Sequence, residues 1–312
     1  MTSVTIARPI ALEKPAVRAA SQGGRHIKLK SQILSQIFCI AVAATVLFPL
    51  LWVVSISIDP RNIAKPDGLN LIPSGASLAA YQQVIAKPTL NPISFVELAR
   101  NSIEISVIVA LLTLTLGSLA AYALSRLHFR GRQVLMIGVL AVLMLPAVAA
   151  LAPLYVLLYS IRLGTTWVLG NSILGVAIAV TAGTLPFAIW NMKGYIDTIP
   201  HELEEAAAVD GANKLQIFLF IVLPLAKPVI AVTVFFGFIA GWTEFYFSWA
   251  FLQNPADFTL SMALKGMVGQ YGSTPWSQFA AFAVLVAIPV SAVYLLLQRY
   301  IVSGLALGGV KG

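Results

Sequence analysis

The stretch SIEISVIVALLTLTLGSLAAYAL, residues 102–124, carries one charged side chain, Glu104, and is otherwise apolar or small. Hydrocarbon satisfies no backbone N–H or C=O, so a segment of this length and composition is stable there only as a helix that closes its own hydrogen bonds. Crossing needs about 20 such residues. Five more stretches qualify, at residues 31–58, 134–159, 167–191, 229–251 and 279–301. The whole chain agrees: 59% hydrophobic, 10% charged and mean hydropathy +0.87 over 312 residues, outside the makeup of a soluble domain. The expected fold is all-α, a polytopic membrane protein with six transmembrane helices.

The first apolar run lies behind a 30-residue tail and is too long for a signal-peptide core, so it reads as an uncleaved first span. With the N-terminus inside, the connecting segments place fourteen Lys and Arg on the inner side and six on the outer. Positive residues collect on the cytoplasmic face, which puts both termini there. The net charge of +8 is accounted for by that asymmetry and needs no nucleic acid. The single cysteine, Cys39, forms no intrachain disulfide, and His26, His128 and His201 have no metal-ligand spacing.

The expected organisation is a basic tail at 1–30, read as disordered and drawn to anionic lipid, then a six-helix transmembrane domain at 31–312. Within that domain 59–101 reads as an irregular external loop, rich in proline, and 253–278 as a second exposed loop. Residues 302–312 form a cytoplasmic C-terminal tail. The inner segment 192–228 differs from these. Pro200 suits a first helical turn, and Glu202, Glu204 and Glu205 set negative charge against the positive end of the helix dipole. Ala206, Ala207 and Ala208 favour helix, and Gly211 supplies the left-handed residue that ends it. A second amphipathic piece, residues 214–222, leads to Pro224 and Pro228, which break it. The residues alone allow a hairpin lying on the membrane as well as a docking element.

The spacing is specific: Glu205-Ala206-Ala207, three residues, Gly211, nine residues, Ile221, one residue, Leu223-Pro224. It is similar to the coupling loop in permease subunits of binding-protein-dependent ABC importers. The run Leu203–Ala212, the turn Gly241–Glu244 and the ending Gly304–Gly312 resemble the second permease subunit of carbohydrate importers, and the likeness covers nearly all of residues 31–312. The resemblance implies the transmembrane domain of a type I ABC importer. It implies a homologous second permease, two ATP-binding subunits that hold ATP and Mg, and an external sugar-binding protein as partners. Glu205, Ala206, Ala207, Gly211, Ile221, Leu223 and Pro224 would form the contact to the ATPase subunits, and Gly308, Gly309, Val310, Lys311 and Gly312 would reach between them. The loop 253–278 would enter the binding protein. The substrate implied is a carbohydrate, maltose or maltodextrin first.

The chain has no Gly-x-x-x-x-Gly-Lys-Ser/Thr and no catalytic constellation, so it reads as a non-enzymatic subunit without a cofactor of its own. In the fifth span Gly237, Gly241, Glu244 and Ser248 recur on one face, with a GxxxG pair for close helix approach. Glu244 is the acid deepest in any span and must face the bundle or water. Two readings stand for Glu244 and Trp242: a lining of the sugar pathway, or a polar clamp between helices among core aromatics. An ion-gradient transporter and a membrane scaffold remain alternatives of another class, the first weakened by the absence of an internal repeat.

Overall fold

A computed structural model describes residues 29–63, 71–90, 92–163, 167–269 and 274–308. The chain divides into two compact units, residues 1–49 and 50–312. The first helix, α1 (Leu29–Ser57), begins in the first unit, where its side chains from Ser31 to Pro49 are exposed and mostly apolar.

The second unit continues with α2 (Ala79–Ala86), α3 (Phe95–Arg126), α4 (Arg132–Leu143) and α5 (Leu151–Ser160). A two-residue hairpin follows, β1 (Arg162–Leu163) antiparallel to β2 (Trp167–Val168), then α6 (Ile173–Ile196). Next come α7 (Glu202–Val209), α8 (Lys214–Ile217), a π-turn at Phe218–Val222, α9 (Leu223–Leu225) and α10 (Lys227–Trp242). The chain ends with α11 (Tyr246–Phe251), α12 (Leu260–Gly266) and α13 (Trp276–Gly308). Among the described residues four helices, α1, α3, α6 and α13, are each long and apolar enough to cross a membrane; two bent pairs bring the crossings to six if each pair is one span.

α3 is the centre of the second unit and packs most extensively on α6 and α10. Its buried positions Ser102, Ser106, Ala110, Thr113, Gly117, Ala121 and Ser125 recur every three or four residues and form a stripe of small side chains. A Cβ built on Gly241 of α10 would lie 2.6 Å from the Ser106 Cα, and one on Gly237 2.9 Å from the Ala110 Cα. On the α6 side a Cβ at Gly117 would come within 3.2 Å of the Ala188 Cβ, and the Thr113 and Thr184 hydroxyls hydrogen-bond at 2.9 Å. Lipid supplies no hydrophobic force between helices, so van der Waals contact at this range and interhelical hydrogen bonds hold the three together.

Three buried clusters fill the unit. One, around Leu98, Trp242, Leu260 and Phe282, joins α3, α10, α12 and α13 at the end where α3 starts. Another, with Ile105, Val180 and Phe251, joins α3, α6 and α11. The third, with Ala121, Met192, Phe218 and Val222, lies where α3 and α6 end. Large apolar side chains such as Leu111, Phe236 and Leu295 are exposed, as a surface facing hydrocarbon requires.

Several expected boundaries move. The third span is broken, with α4 and the segment Val148–Ser160 bent by 99°, because Pro146 lacks an N–H and disfavours helix at Leu145. The fifth is interrupted between Trp242 and Tyr246, where the Glu244 carboxylate starts a new helix. The fourth starts at Ile173, capped by Ser172, since Trp167 and Val168 are in the β-hairpin. The loop expected over 59–101 ends at Ser94, whose side chain forms a capping box with Glu97 and starts α3 early. The segment 253–278 is not exposed throughout: Leu260, Ala263 and Met267 are buried, and Asn101 donates to the Ala256 and Phe258 carbonyls at 2.7 and 3.0 Å. Part of the expected C-terminal tail is helical, because α13 runs to Gly308. The basic tail lies outside the described residues apart from its last two, which open α1.

Gly241→Ala sets a methyl against the α3 backbone, an overpacking that costs about 1–3 kcal/mol. Its thermal unfolding midpoint in detergent is expected to fall by several degrees, whereas Gly138→Ala, which meets open space on α4, leaves the midpoint unchanged or raised.

Candidate functional site

The hairpin assembles from local rules. Glu202, Glu204 and Glu205 occupy the first turn of α7, where the free N–H groups favour carboxylates. Pro200 stands just before the helix, with His201 at the N-cap position. At the other end Gly211 has φ +89°, the Gly211 N–H donates to the Ala208 carbonyl at 3.1 Å, and the Ala212 N–H to the Ala207 carbonyl at 3.0 Å. This is a Schellman ending, closed by Ala207 and Ala212 packing on one cluster. α8 then starts from a capping box, with Asn213 accepting from the Gln216 N–H at 2.9 Å and the Gln216 side chain accepting from the Asn213 N–H at 2.8 Å.

Pro224 does not break the second arm. The π-turn carries the Leu223 N–H to the Phe218 carbonyl, the helical run passes through Pro224, and the bend of 83° falls at Ala226. An extra residue in a helical turn leaves room for the proline ring and its missing N–H, so the break is displaced by two residues.

The motif positions divide between two faces. Ala207 and Leu223 are turned onto the buried cluster with Met192, Phe218 and Val222, and Ile221 is half-buried. Glu205, Ala206, Gly211 and Pro224 are exposed. Around them lie Val209, 88% exposed, and Phe220, 74% exposed. A groove of about 350 Å³ brings Gly211 and Ile221 together with Asp210, Gln216 and Phe220. The hairpin therefore offers a small, partly apolar outer face on a well-anchored inner one. Of the expected C-terminal contact, Gly308 is the last described residue and Gly309–Gly312 lie outside the described residues.

The anchoring is polar as well as apolar, and sequence reasoning missed it. Arg126, the last residue of α3, is ion-paired with Glu204 of α7; their side chains are 6% and 11% exposed. Asp197 accepts from the Ser125 hydroxyl and the Lys193 ammonium, each at 2.5 Å. Partial burial pushes the Asp197 carboxyl up, but the bonds from Lys193 and Ser125 and the charges of Lys193 and Arg126 outweigh it and hold the carboxyl below its ordinary value. Arg126 and Glu204 lie 78 positions apart, and no spacing rule connects them.

Neither Trp242 nor Glu244 borders the two cavities described below. The Trp242 indole is 2% exposed, stacks on Phe238 at 5.8 Å and donates to the Val286 carbonyl of α13 at 3.2 Å. The Glu244 carboxylate accepts from the Phe247 N–H at 2.6 Å, the Ser248 N–H at 2.9 Å and the Ser248 hydroxyl at 2.5 Å. Those bonds satisfy the first N–H groups of α11 and make the break in the fifth span tolerable in a membrane. The sequence does not predict the cavities of the second unit, among them two near α10 and α11. One of about 850 Å³, bordered by Lys87, Phe245, Trp249, Met262, Lys265 and Gln278, lies at the end opposite the hairpin. A smaller one of about 300 Å³ lies between α3, α6 and α10, with Thr113, Thr184, Phe187, Thr233 and Phe236 on its walls.

Gly211→Ala meets no atom within 4 Å, so its cost is the left-handed backbone alone, roughly 1–2 kcal/mol, and Gly211→Asn should recover part of it in thermal unfolding. For Asp197 the depressed pKa means its stabilisation is present above the unfolded value near about 4 and is lost as pH falls through the folded value. The stability difference between wild type and Asp197→Asn is accordingly expected to shrink as pH falls below about 5, measured by denaturation in detergent.

Comparison with known proteins agrees with this arrangement. Residues 113–306 match the family model described as the binding-protein-dependent transport system inner membrane component. The chain is 35% identical to the trehalose/maltose transport system permease of Thermococcus litoralis, over 90% of this chain and 97% of that one. It is 37% identical to the maltose/maltodextrin transport system permease of Photorhabdus laumondii, over 86% and 92%. Its fold matches the crystal structure of a bacterial ABC transporter that imports the acidic polysaccharide alginate, with TM-score 0.68, 24% identity and coverage of 88% and 98%. The fold is that of type I ABC permeases, and the ion-gradient and scaffold alternatives fall away. A multi-pass bundle with an anchored hairpin, matched by that family model over most of its length, belongs to the inner-membrane permease components of binding-protein-dependent transport systems.

Proposed function

We propose that this permease conducts a carbohydrate, maltose or maltodextrin first, and that the 202–225 hairpin is where ATP-binding subunits drive it. The carrying observation is the two-sided hairpin: Glu205, Ala206 and Gly211 face outward while Ala207 and Leu223 lock the same element to α3, α6 and α10. A small outer face seats deeply in a cleft, and an exposed carboxylate at Glu205 pairs with a basic group across the joint. The sugars named for the relatives support the substrate class.

In this reading the assembly holds this chain, a homologous second permease, two ATPase subunits with ATP and Mg, and an external binding protein. The hairpin and both termini are cytoplasmic, supported by the fourteen inner against six outer basic residues. ATP binding closes the ATPase pair, the closure pushes the hairpin, and the helices rock between inward- and outward-facing states. The C-terminal residues from Gly308 to Gly312 reach between the ATPase subunits. The segment 253–278 and the 850 Å³ cavity beside it meet the loaded binding protein.

Glu244 and Trp242 serve as clamps in this scheme, because their polar atoms are taken up by α11 and α13. The cavity between α3, α6 and α10 offers the rings of Phe187 and Phe236 to a sugar face, while its Thr113 and Thr184 hydroxyls are bonded to each other.

Co-purification tests the proposal. The wild-type chain, expressed with its transport partners, is expected to bring down the ATPase subunits; Glu205→Ala weakens that association and Gly211→Pro abolishes sugar-stimulated ATP hydrolysis. Undiminished uptake by Gly211→Pro sinks the docking role.

A further inference from the structure

Arg126 belongs to none of the motif positions, yet every part of its guanidinium is engaged. Nε donates to Glu204 Oε1 in α7. Nη2 donates to the Ile196 carbonyl at 3.1 Å and the Ile199 carbonyl at 2.8 Å, where α6 ends and turns toward the hairpin. Nη1 donates to His201 Nε2 at 3.1 Å and to Ser125 Oγ at 3.3 Å. The Tyr122 hydroxyl, one turn back on α3, donates to Glu204 Oε2 at 3.1 Å. One planar fork therefore ties the end of α3 to the end of α6, the connecting turn and the first turn of α7.

We propose that Arg126 and Glu204 form a strut that makes the hairpin move as one body with α3 and α6, a positioning pair for the coupling of ATP hydrolysis to transport. The inference rests on the docking role of the hairpin given above. Apolar contacts at this joint, such as those of Ala207 with the cluster holding Ile199, Phe218 and Val222, are non-directional and by themselves permit sliding. The guanidinium does not, because its donors lie in a fixed plane and meet acceptors on separate elements. Displacement would leave a buried charge unpaired, which keeps the strut closed under load. The two adjacent glutamates divide the labour: Glu205 is exposed on the outer face, and Glu204 is turned inward to α3. A push received at the first reaches the membrane helices through the second.

The test uses the complete transporter in proteoliposomes with its binding protein, and reads ATP hydrolysed per substrate molecule imported. Arg126→Met is expected to retain the ATPase subunits and basal hydrolysis while raising that ratio roughly tenfold. Arg126→Lys, which reaches Glu204 but not both carbonyls, should raise it by about threefold and covers the case in which Arg126→Met fails to assemble. A wild-type ratio in Arg126→Lys overturns the strut. So does loss of the ATPase subunits from the Arg126→Lys complex, which would make Arg126 a docking residue instead. A second readout separates this inference from the docking role itself. Spin labels at exposed Val209 on α7 and Leu119 on α3, with Cys39 replaced, report the hairpin's position in the purified chain without any partner. A narrow wild-type distance distribution that broadens in Arg126→Lys supports the strut even if docking fails; an unchanged distribution overturns it.

Discussion

Backbone-to-backbone contact along α3 is the constraint on which the second unit depends. Within a bilayer, lipid tails are as apolar as leucine, so helices gain little from hiding large side chains against one another. They gain from approaching closely, and the stripe from Ser102 to Ser125 lets α10 reach α3 at Gly237 and Gly241 and lets α6 reach it at Gly117. α3 then works as a beam with polar fittings at both ends. At one end Asn101 holds the Ala256 and Phe258 carbonyls, and the Ser102 hydroxyl accepts from the Leu260 N–H at 2.9 Å. At the other, Arg126 holds the hairpin. About 25 residues, or roughly 38 Å of helix, separate the segment before α12 from the element read as the ATPase contact.

Two of the breaks carry their own remedy for exposed backbone. Glu244 supplies acceptors to the first turn of α11 in the interruption of the fifth span. The π-turn at Phe218–Val222 absorbs Pro224 so that the bend occurs at Ala226, against the buried cluster. No described buried side-chain nitrogen or oxygen lacks a hydrogen-bond partner. At the break in the fifth span a polar side chain completes the backbone's hydrogen bonding, whereas Thr113 and Thr184 bond each other across two helices. At that break the Glu244 carboxylate acts as a helix cap.

Legibility in the sequence follows the range of each interaction. α7 was readable because its signals are local: three acids in the first turn, an alanine run and a glycine that takes positive φ. The capping boxes at Ser94 and Asn213 were equally local and went unread; recognising Ser94 with Glu97 would have started α3 at Phe95. The small-residue stripe on α3 was also visible as a three- and four-residue period, and would have pointed to the centre of the bundle. The Arg126–Glu204 pair was not visible at all, since its partners come from ends of two helices that meet only after α3 and α6 pack.

Sequence alone determined the solvent, the helical class, the number of apolar stretches and the hairpin motif, because hydrophobic length, helix propensity and turn chemistry act over a few residues. Tertiary structure decided where the spans break, which motif residues face outward, and that Trp242 and Glu244 are occupied within the fold. Those outcomes depend on which backbone approaches which, and on where a buried charge finds its partner. Trp242 and Val286 lie 44 positions apart and Arg126 and Glu204 78, so no short window contains either pair.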